Sequence, residues 1–143
     1  MIANGPAASD NQLSGDVIGA AIEVHRELGP GLLESIYREA LTTELAARGF
    51  VVHREVEVPI RYKGQILTNS LRLDMLVNEL MVVEVNSVER IIAVHEAQLL
   101  SYLRLSRRRL GLLINFNSPV LARSIRRIVN GYIANTDSED HGR

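Results

Sequence analysis

The chain has 143 residues, no cysteine and a formal net charge of −1 at pH 7. That length sets one domain with one sizeable core, and the missing cysteines exclude disulfides, zinc–thiolate sites and cysteine nucleophiles. No apolar run approaches the ~20 residues of a membrane span, and the start Met1-Ile2-Ala3-Asn4-Gly5-Pro6 lacks the basic and apolar blocks of a signal peptide, so a cytoplasmic location is expected.

Residues 1–13 are small and polar and read as a flexible tail, as do residues 134–143. The domain is expected over 14–132. Ser14 is placed to cap a first helix, with Val17, Ile18, Ala21, Ile22, Val24 and Leu28 at helical spacing. Gly29-Pro30-Gly31 stops it. A second helix is expected from about Leu32 to Arg48, with Leu33, Ile36, Tyr37, Ala40, Leu41 and Leu45 as its apolar face and Gly49 as its stop. The period then changes to two. Val52 to Ile60 alternates, Lys63-Gly64 makes a turn, and strands follow over about Ser70–Val77 and Met81–Val85. A third helix is expected over about Ile92–Leu105. Leu110–Phe116 is a continuous apolar run, which reads as a strand buried on both faces. A short final element, read as a helix, includes Ile125–Val129. This order implies an α/β (α+β) fold in which helices pack on a mixed sheet.

Two acids interrupt the apolar strands, in Arg72-Leu73-Asp74 and Val83-Glu84-Val85-Asn86. An acid amid buried apolar neighbours is costly unless a cation or hydrogen-bond donors compensate it. A two-residue turn at Asn78-Glu79 would throw Asp74 and Glu84 to opposite faces. A three-residue turn, Asn78-Glu79-Leu80, sets them opposite each other on one face. Opposed carboxylates repel, so that register calls for a cation. Mg²⁺ or Mn²⁺ fits, with hard oxygen ligands and water in the remaining positions. The expected metal ligands are Asp74, Glu84 and the carbonyl of Val85. Glu34, beside the stripe of Tyr37, Leu41 and Leu45, and Gln98, on a stripe with His95, Leu99 and Tyr102, are polar groups placed to converge on the same pocket. His25 and His95 read as core or boundary histidines.

Charge is unevenly spread. From Ala97 to Thr136 there is no acid but seven arginines, whereas residues 1–96 carry 14 acids and 8 basic residues. A basic block on an acidic body points to a phosphate-rich partner. Arg104, Arg107, Arg108 and Arg109 are the expected nucleic-acid contacts.

The stretch Gly31-Leu32-Leu33-Glu34-Ser35-Ile36-Tyr37 resembles the G-x-x-E-x-x-Y signature of the bacterial GxxExxY proteins. Four further blocks are similar in order: residues 24–31, Arg72-Leu73-Asp74, residues 94–103, and Gly111-Leu112-Leu113-Ile114-Asn115-Phe116. The likeness covers roughly residues 14–130. It implies a PD-(D/E)XK, restriction-endonuclease-like core: a central mixed sheet flanked by helices. It also implies a metal-dependent nuclease site made of Glu34, Asp74, Glu84, position 86 and Gln98, with Mg²⁺ or Mn²⁺ as cofactor. DNA is the implied partner, with RNA and a homodimeric assembly as further options. One position departs from the pattern. The motif normally reads E-x-K, and here it is Glu84-Val85-Asn86. Asparagine can hydrogen-bond a water but brings no charge to it, and Lys63 is the only lysine in the chain. Two readings follow: a nuclease attenuated by Asn86, or an inactive nucleic-acid-binding or protein-interaction module on the same fold.

Overall fold

The computed structural model describes residues 8–131. Helix α1 spans Ala8–Leu28 and α2 spans Glu34–Ala47. Strands β1 (Val52–Tyr62), β2 (Gln65–Val77) and β3 (Met81–Asn86) follow. Helix α3 (Ala93–Ser106), β4 (Leu110–Asn115), a short 3-10 turn (Leu121–Ser124) and β5 (Ile125–Val129) complete the fold. The five strands form one sheet in the order β1-β2-β3-β4-β5. All neighbours are antiparallel except β3 and β4. A parallel pair needs a long crossover, and α3 supplies it. No described helix is long and apolar enough to cross a membrane.

The sheet separates two cores. On one face, Leu13, Val17, Ala20, Ala21 and Val24 of α1 and Tyr37, Leu41 and Leu45 of α2 pack on Met75, Val83, Val85, Leu112 and Ile114. On the other, Leu99 and Leu103 of α3 pack on Leu73, Leu76, Val82 and Leu113. Every residue of β4 is buried, as its unbroken apolar run requires when both faces are covered. Helix α3 lies close over β4 at Gly111, where an added Cβ would meet Leu99 and Leu103 methyls at 3.2 Å.

Two elements differ from the sequence expectation. Helix α1 begins at Ala8, so residues 8–13 are helical and not a tail. Ser14 is inside the helix, its hydroxyl donating to the Asp10 carbonyl at 2.9 Å. Leu13 and Ser14 are buried, and the Asp10 carboxylate pairs with Arg109. Tertiary contacts thus hold a first turn whose local composition is weak. The tail expected over 134–143 lies outside the described residues, as do residues 1–7. The final element is a strand and not a helix. β5 pairs with β4 from Leu110↔Val129 to Ile114↔Ile125. A five-residue segment gains little as an isolated helix, whereas the open edge of β4 offers a full row of backbone partners.

Tyr37 ties the loop between α1 and α2 to the core. Its ring stacks on Phe116 with centroids 4.5 Å apart. Its hydroxyl donates to the Gly29 carbonyl at 2.5 Å and accepts from the Leu32 amide at 3.1 Å. Gly29 and Gly31 hold positive φ, +72° and +95°, which lets the chain wrap around that hydroxyl. Tyr37→Phe keeps the stack and removes both hydrogen bonds. It should cost about 1 kcal/mol, seen as a lower urea midpoint at constant slope. An unchanged midpoint would show that the hydroxyl does not anchor this loop.

Candidate functional site

The site begins with a turn. Asn78 and Glu79 both hold positive φ, 52° and 58°, and the Leu80 amide donates back to the Val77 carbonyl at 2.9 Å. Asn78 suits this conformation, and its side chain also accepts from the Val51 amide at 2.9 Å. The three-residue loop sets the register Val77↔Met81, Leu76↔Val82 and Met75↔Val83. One step further, Asp74 comes opposite Glu84.

At that step side chains replace the backbone ladder. The Asp74 amide donates to Glu84 Oε2 at 3.1 Å, and the Val85 amide donates to Asp74 Oδ2 at 2.8 Å. Each acid therefore caps an amide at the point where β2 and β3 stop pairing. The alternation of β2 also breaks here. Leu73 and Leu76, three residues apart, both reach the core under α3. Across from Asp74 on β1, Glu55 holds φ 52° between the pairs Arg54↔Met75 and Val56↔Leu73.

Both acids are half-buried, and each feels the other's charge and hydrogen-bonding groups. Burial raises the pKa of Asp74, against the opposing pull of the Val85 amide and Arg38. Glu84 is pushed up to about 8, first by burial and then by the charge of Asp74. Two like charges in a shared, poorly solvated space cannot both ionise cheaply. The Tyr102 hydroxyl on α3 is also raised, by burial and by the charge of Glu84.

Two helices reach toward this pair. From α2, Arg38 Nη1 lies 3.9 Å from Asp74 Oδ1 and 3.7 Å from Glu34 Oε1. Glu34, the first residue of α2, uses its other oxygen to accept from the Ser87 amide at 3.1 Å. Ser87 in turn donates its hydroxyl to the Leu32 carbonyl at 2.7 Å. Glu34 thus joins the acids through Arg38 and braces the loop after β3. A cleft of about 410 Å³ lined by Leu32, Leu33, Glu34, Ser35, Arg38 and Ser87 opens beside them. From α3, Gln98 is exposed and donates to the Tyr102 hydroxyl at 2.8 Å. It approaches the acids through Tyr102, and is not a buried polar group on a core-facing stripe. Asn86 is half-buried. Its carbonyl accepts from the Phe116 amide at 2.9 Å, and its side chain makes no hydrogen bond among the described residues. Val85 contributes the amide already described.

Arg38 and Tyr102 were not singled out from the sequence as site residues. For Arg38 a signal existed: it lies four residues after Glu34, on the same helical face. The arginine block divides. Arg108 donates to the Glu79 carbonyl at 2.5 Å and lies 3.7 Å from its carboxylate. Arg109 pairs with Asp10. Arg104 and Arg107 are exposed and form no ion pair among the described residues.

The donors suit a hard divalent cation in kind. Two half-buried carboxylates on neighbouring strands offer the hard oxygen donors that Mg²⁺ or Mn²⁺ takes while keeping its waters. Among the described residues, no three acids or histidines converge as a metal-holding group; Glu34 meets the pair through Arg38.

No curated protein and no solved structure gave a significant match. The sequence profile of the PD-(D/E)XK nuclease superfamily matches residues 11–128, a span running from α1 into β5. A mixed five-stranded sheet, helices on both faces and a parallel β3-α3-β4 unit agree with that match. This chain belongs to the PD-(D/E)XK nuclease superfamily.

Proposed function

We propose that the protein hydrolyses phosphodiester bonds of DNA in a divalent-metal-dependent reaction, at a rate reduced by Asn86. The opposition of Asp74 and Glu84, each accepting from an amide of the other strand, in a chain of this superfamily, carries the reading. Asp74 and Glu84 would hold Mg²⁺ or Mn²⁺, with the Val85 carbonyl as a further ligand. When bound, the ion polarises a water and neutralises charge on the phosphate. Arg38 holds Glu34 and Asp74 in place and offers its guanidinium to a phosphate oxygen. Tyr102, oriented by Gln98, faces the acids from the opposite side. Arg104 and Arg107 offer charge to the nucleic-acid backbone. The five sequence blocks shared with GxxExxY proteins support the same site. RNA in place of DNA and a homodimeric form are compatible with it.

A second reading rests on one residue. Asn86 replaces the lysine that would bring a cation to the attacking water, so the fold would serve as a binding module without catalysis.

A cleavage assay on single- and double-stranded DNA with Mn²⁺ decides between them. The expected result is slow cleavage by the native chain that is lost in Asp74→Asn and Glu84→Gln. Undiminished cleavage in those variants would remove the site. No cleavage by any form, with DNA binding retained, would favour the binding module.

A further inference from the structure

The arginines of this protein fall into two groups. Arg26, Arg38, Arg48, Arg72, Arg108, Arg109 and Arg126 each lie beside an acid of the same chain. The other described arginines form no ion pair among the described residues, and three of them share one place. Arg61, Arg104 and Arg107 converge with Pro59, Ile66 and Leu105 on a cleft of about 380 Å³ between the far end of the β1–β2 hairpin and the end of α3. No acid lines it, all three arginines are exposed, and none forms an ion pair among the described residues. Three guanidinium groups facing one space repel one another unless an anion joins them.

The fold builds this convergence. The hairpin keeps one register from Val52↔Val77 to Pro59↔Ser70, then shifts before Arg61↔Ile66. Two extra residues on the β2 side make a bulge, and bulges re-aim side chains. Here the bulge immediately precedes Arg61. On α3, Arg104 lies in the last turn, and Arg107 is the residue that closes the helix, with φ 59°. The carbonyls at that helix end are weakly negative, about half a charge, against three formal positive charges. Lys63, over the Tyr62 ring at 5.4 Å, adds another cation at the adjoining turn.

We propose that this cleft is a subsite for the phosphodiester backbone of nucleic acid, away from the scissile bond. The proposal rests on the nucleic-acid reading above and deepens it by adding Arg61 and the hairpin. Guanidinium groups match phosphate geometry through paired N–H donors. The distance also suits the role. Ser70, which pairs with Pro59 at the cleft, lies four residues from Asp74 along β2, roughly 13 Å. A duplex strand presents a phosphate about every 3.4 Å along its axis. A backbone passing the acid pair therefore reaches the cleft within several nucleotides.

Fluorescence anisotropy with labelled duplex and single-stranded DNA, in EDTA so that no metal or cleavage intervenes, tests it over a series of NaCl concentrations. The triple variant Arg61→Ala, Arg104→Ala, Arg107→Ala should reduce the slope of log K against log salt by about 2.7 on duplex, from about 0.9 per phosphate contact. The matching triple lysine variant should keep most of the slope. Arg48→Ala, which removes an arginine bound to Glu44 at 2.8 Å, should leave it unchanged. Circular dichroism melts confirm that the variants fold. If the native chain binds DNA and the triple alanine variant binds with the same slope, the cleft is not a phosphate subsite, while the nucleic-acid reading stands. If the native chain binds neither form of DNA, the nucleic-acid reading falls, and the subsite with it.

Discussion

Asn86→Lys should raise Mn²⁺-dependent DNA cleavage by about 100-fold or more. One charged group acting on the nucleophile or on the charge developing in the transition state contributes on the order of 100-fold or more. Position 86 lies two residues after Glu84 on β3, so the two side chains share one face of the sheet. A lysine there brings its ammonium within a side chain's length of the acid pair. Its charge has a second effect. Beside Asp74 and Glu84 it favours the ionised form of both, and so prepares them to bind a cation. The native chain has Arg38 as the nearest cation, and a guanidinium holds its proton too tightly to take part in proton transfer. Arg38 is also spread between Glu34 and Asp74. Initial cleavage rates of the two forms, with Mn²⁺ affinity measured alongside, test this expectation. An Asn86→Lys chain that binds Mn²⁺ and still does not cleave would identify a binding module. A native chain that already cleaves as fast as the variant would show that position 86 has no part in the chemistry.

Folding stability without divalent cations should fall as pH rises from about 5 to about 8, by roughly 3 kcal/mol. Glu84 has an ordinary value of 4.5 and is pushed up to about 8 in the folded protein. Between those values the folded state keeps a proton that the unfolded state has released. More protons bound to the native form means that stability decreases with pH, and the decrease from this group ends once the pH exceeds the folded value. Asp74 is shifted in the same direction and adds to the slope. The cause is burial together with the neighbouring carboxylate, so Glu84→Gln should remove most of the pH dependence and make the protein more stable than the native chain at pH 8. Millimolar Mn²⁺ at pH 8 should restore stability to the native chain and not to Glu84→Gln, because a ligand that binds only the folded state stabilises it. Urea denaturation at pH 5 and pH 8, with and without Mn²⁺, reads all four conditions. A native chain equally stable at both pH values, or a Glu84→Gln variant with an undiminished slope, would contradict the raised pKa of Glu84.

Much of the secondary structure follows from local rules. Helix α2 reads directly from Tyr37, Leu41 and Leu45, because a 3.6-residue period must bury one face. β4 reads from an unbroken apolar run, because a strand covered on both sides needs no polar alternation. The opposition of Asp74 to Glu84 follows from counting residues in a turn, since register is arithmetic once loop length is known. The expected and observed structures part where local preference is weak. Ser14 has the chemistry of a helix cap, yet the helix continues N-terminally, since Leu13 is buried and Asp10 meets Arg109. Ile125–Val129 has too few residues to declare its own state, and the free edge of β4 decides it.

The site divides along the same line. Residue identity and spacing place two acids in apolar strands, make a three-residue turn bring them together, mark Glu34 and Gln98 as candidates to join them, and set asparagine where the motif has lysine. Each of these depends on residue identity and short-range periodicity alone. That each acid accepts from an amide of the neighbouring strand emerged in the folded protein alone, because it depends on where β2 and β3 stop pairing. Folding also decided that Glu34 reaches Asp74 through Arg38, and Gln98 through Tyr102. The same holds for the arginines. Composition made Arg104, Arg107, Arg108 and Arg109 equivalent, four like charges in one block. Folding set Arg108 and Arg109 against acids that lie 29 and 99 residues earlier in the chain. It left Arg104 and Arg107 facing Arg61 across a cleft. An ion pair is a property of distance, and distance between remote residues is fixed by the packed sheet and helices rather than by sequence order.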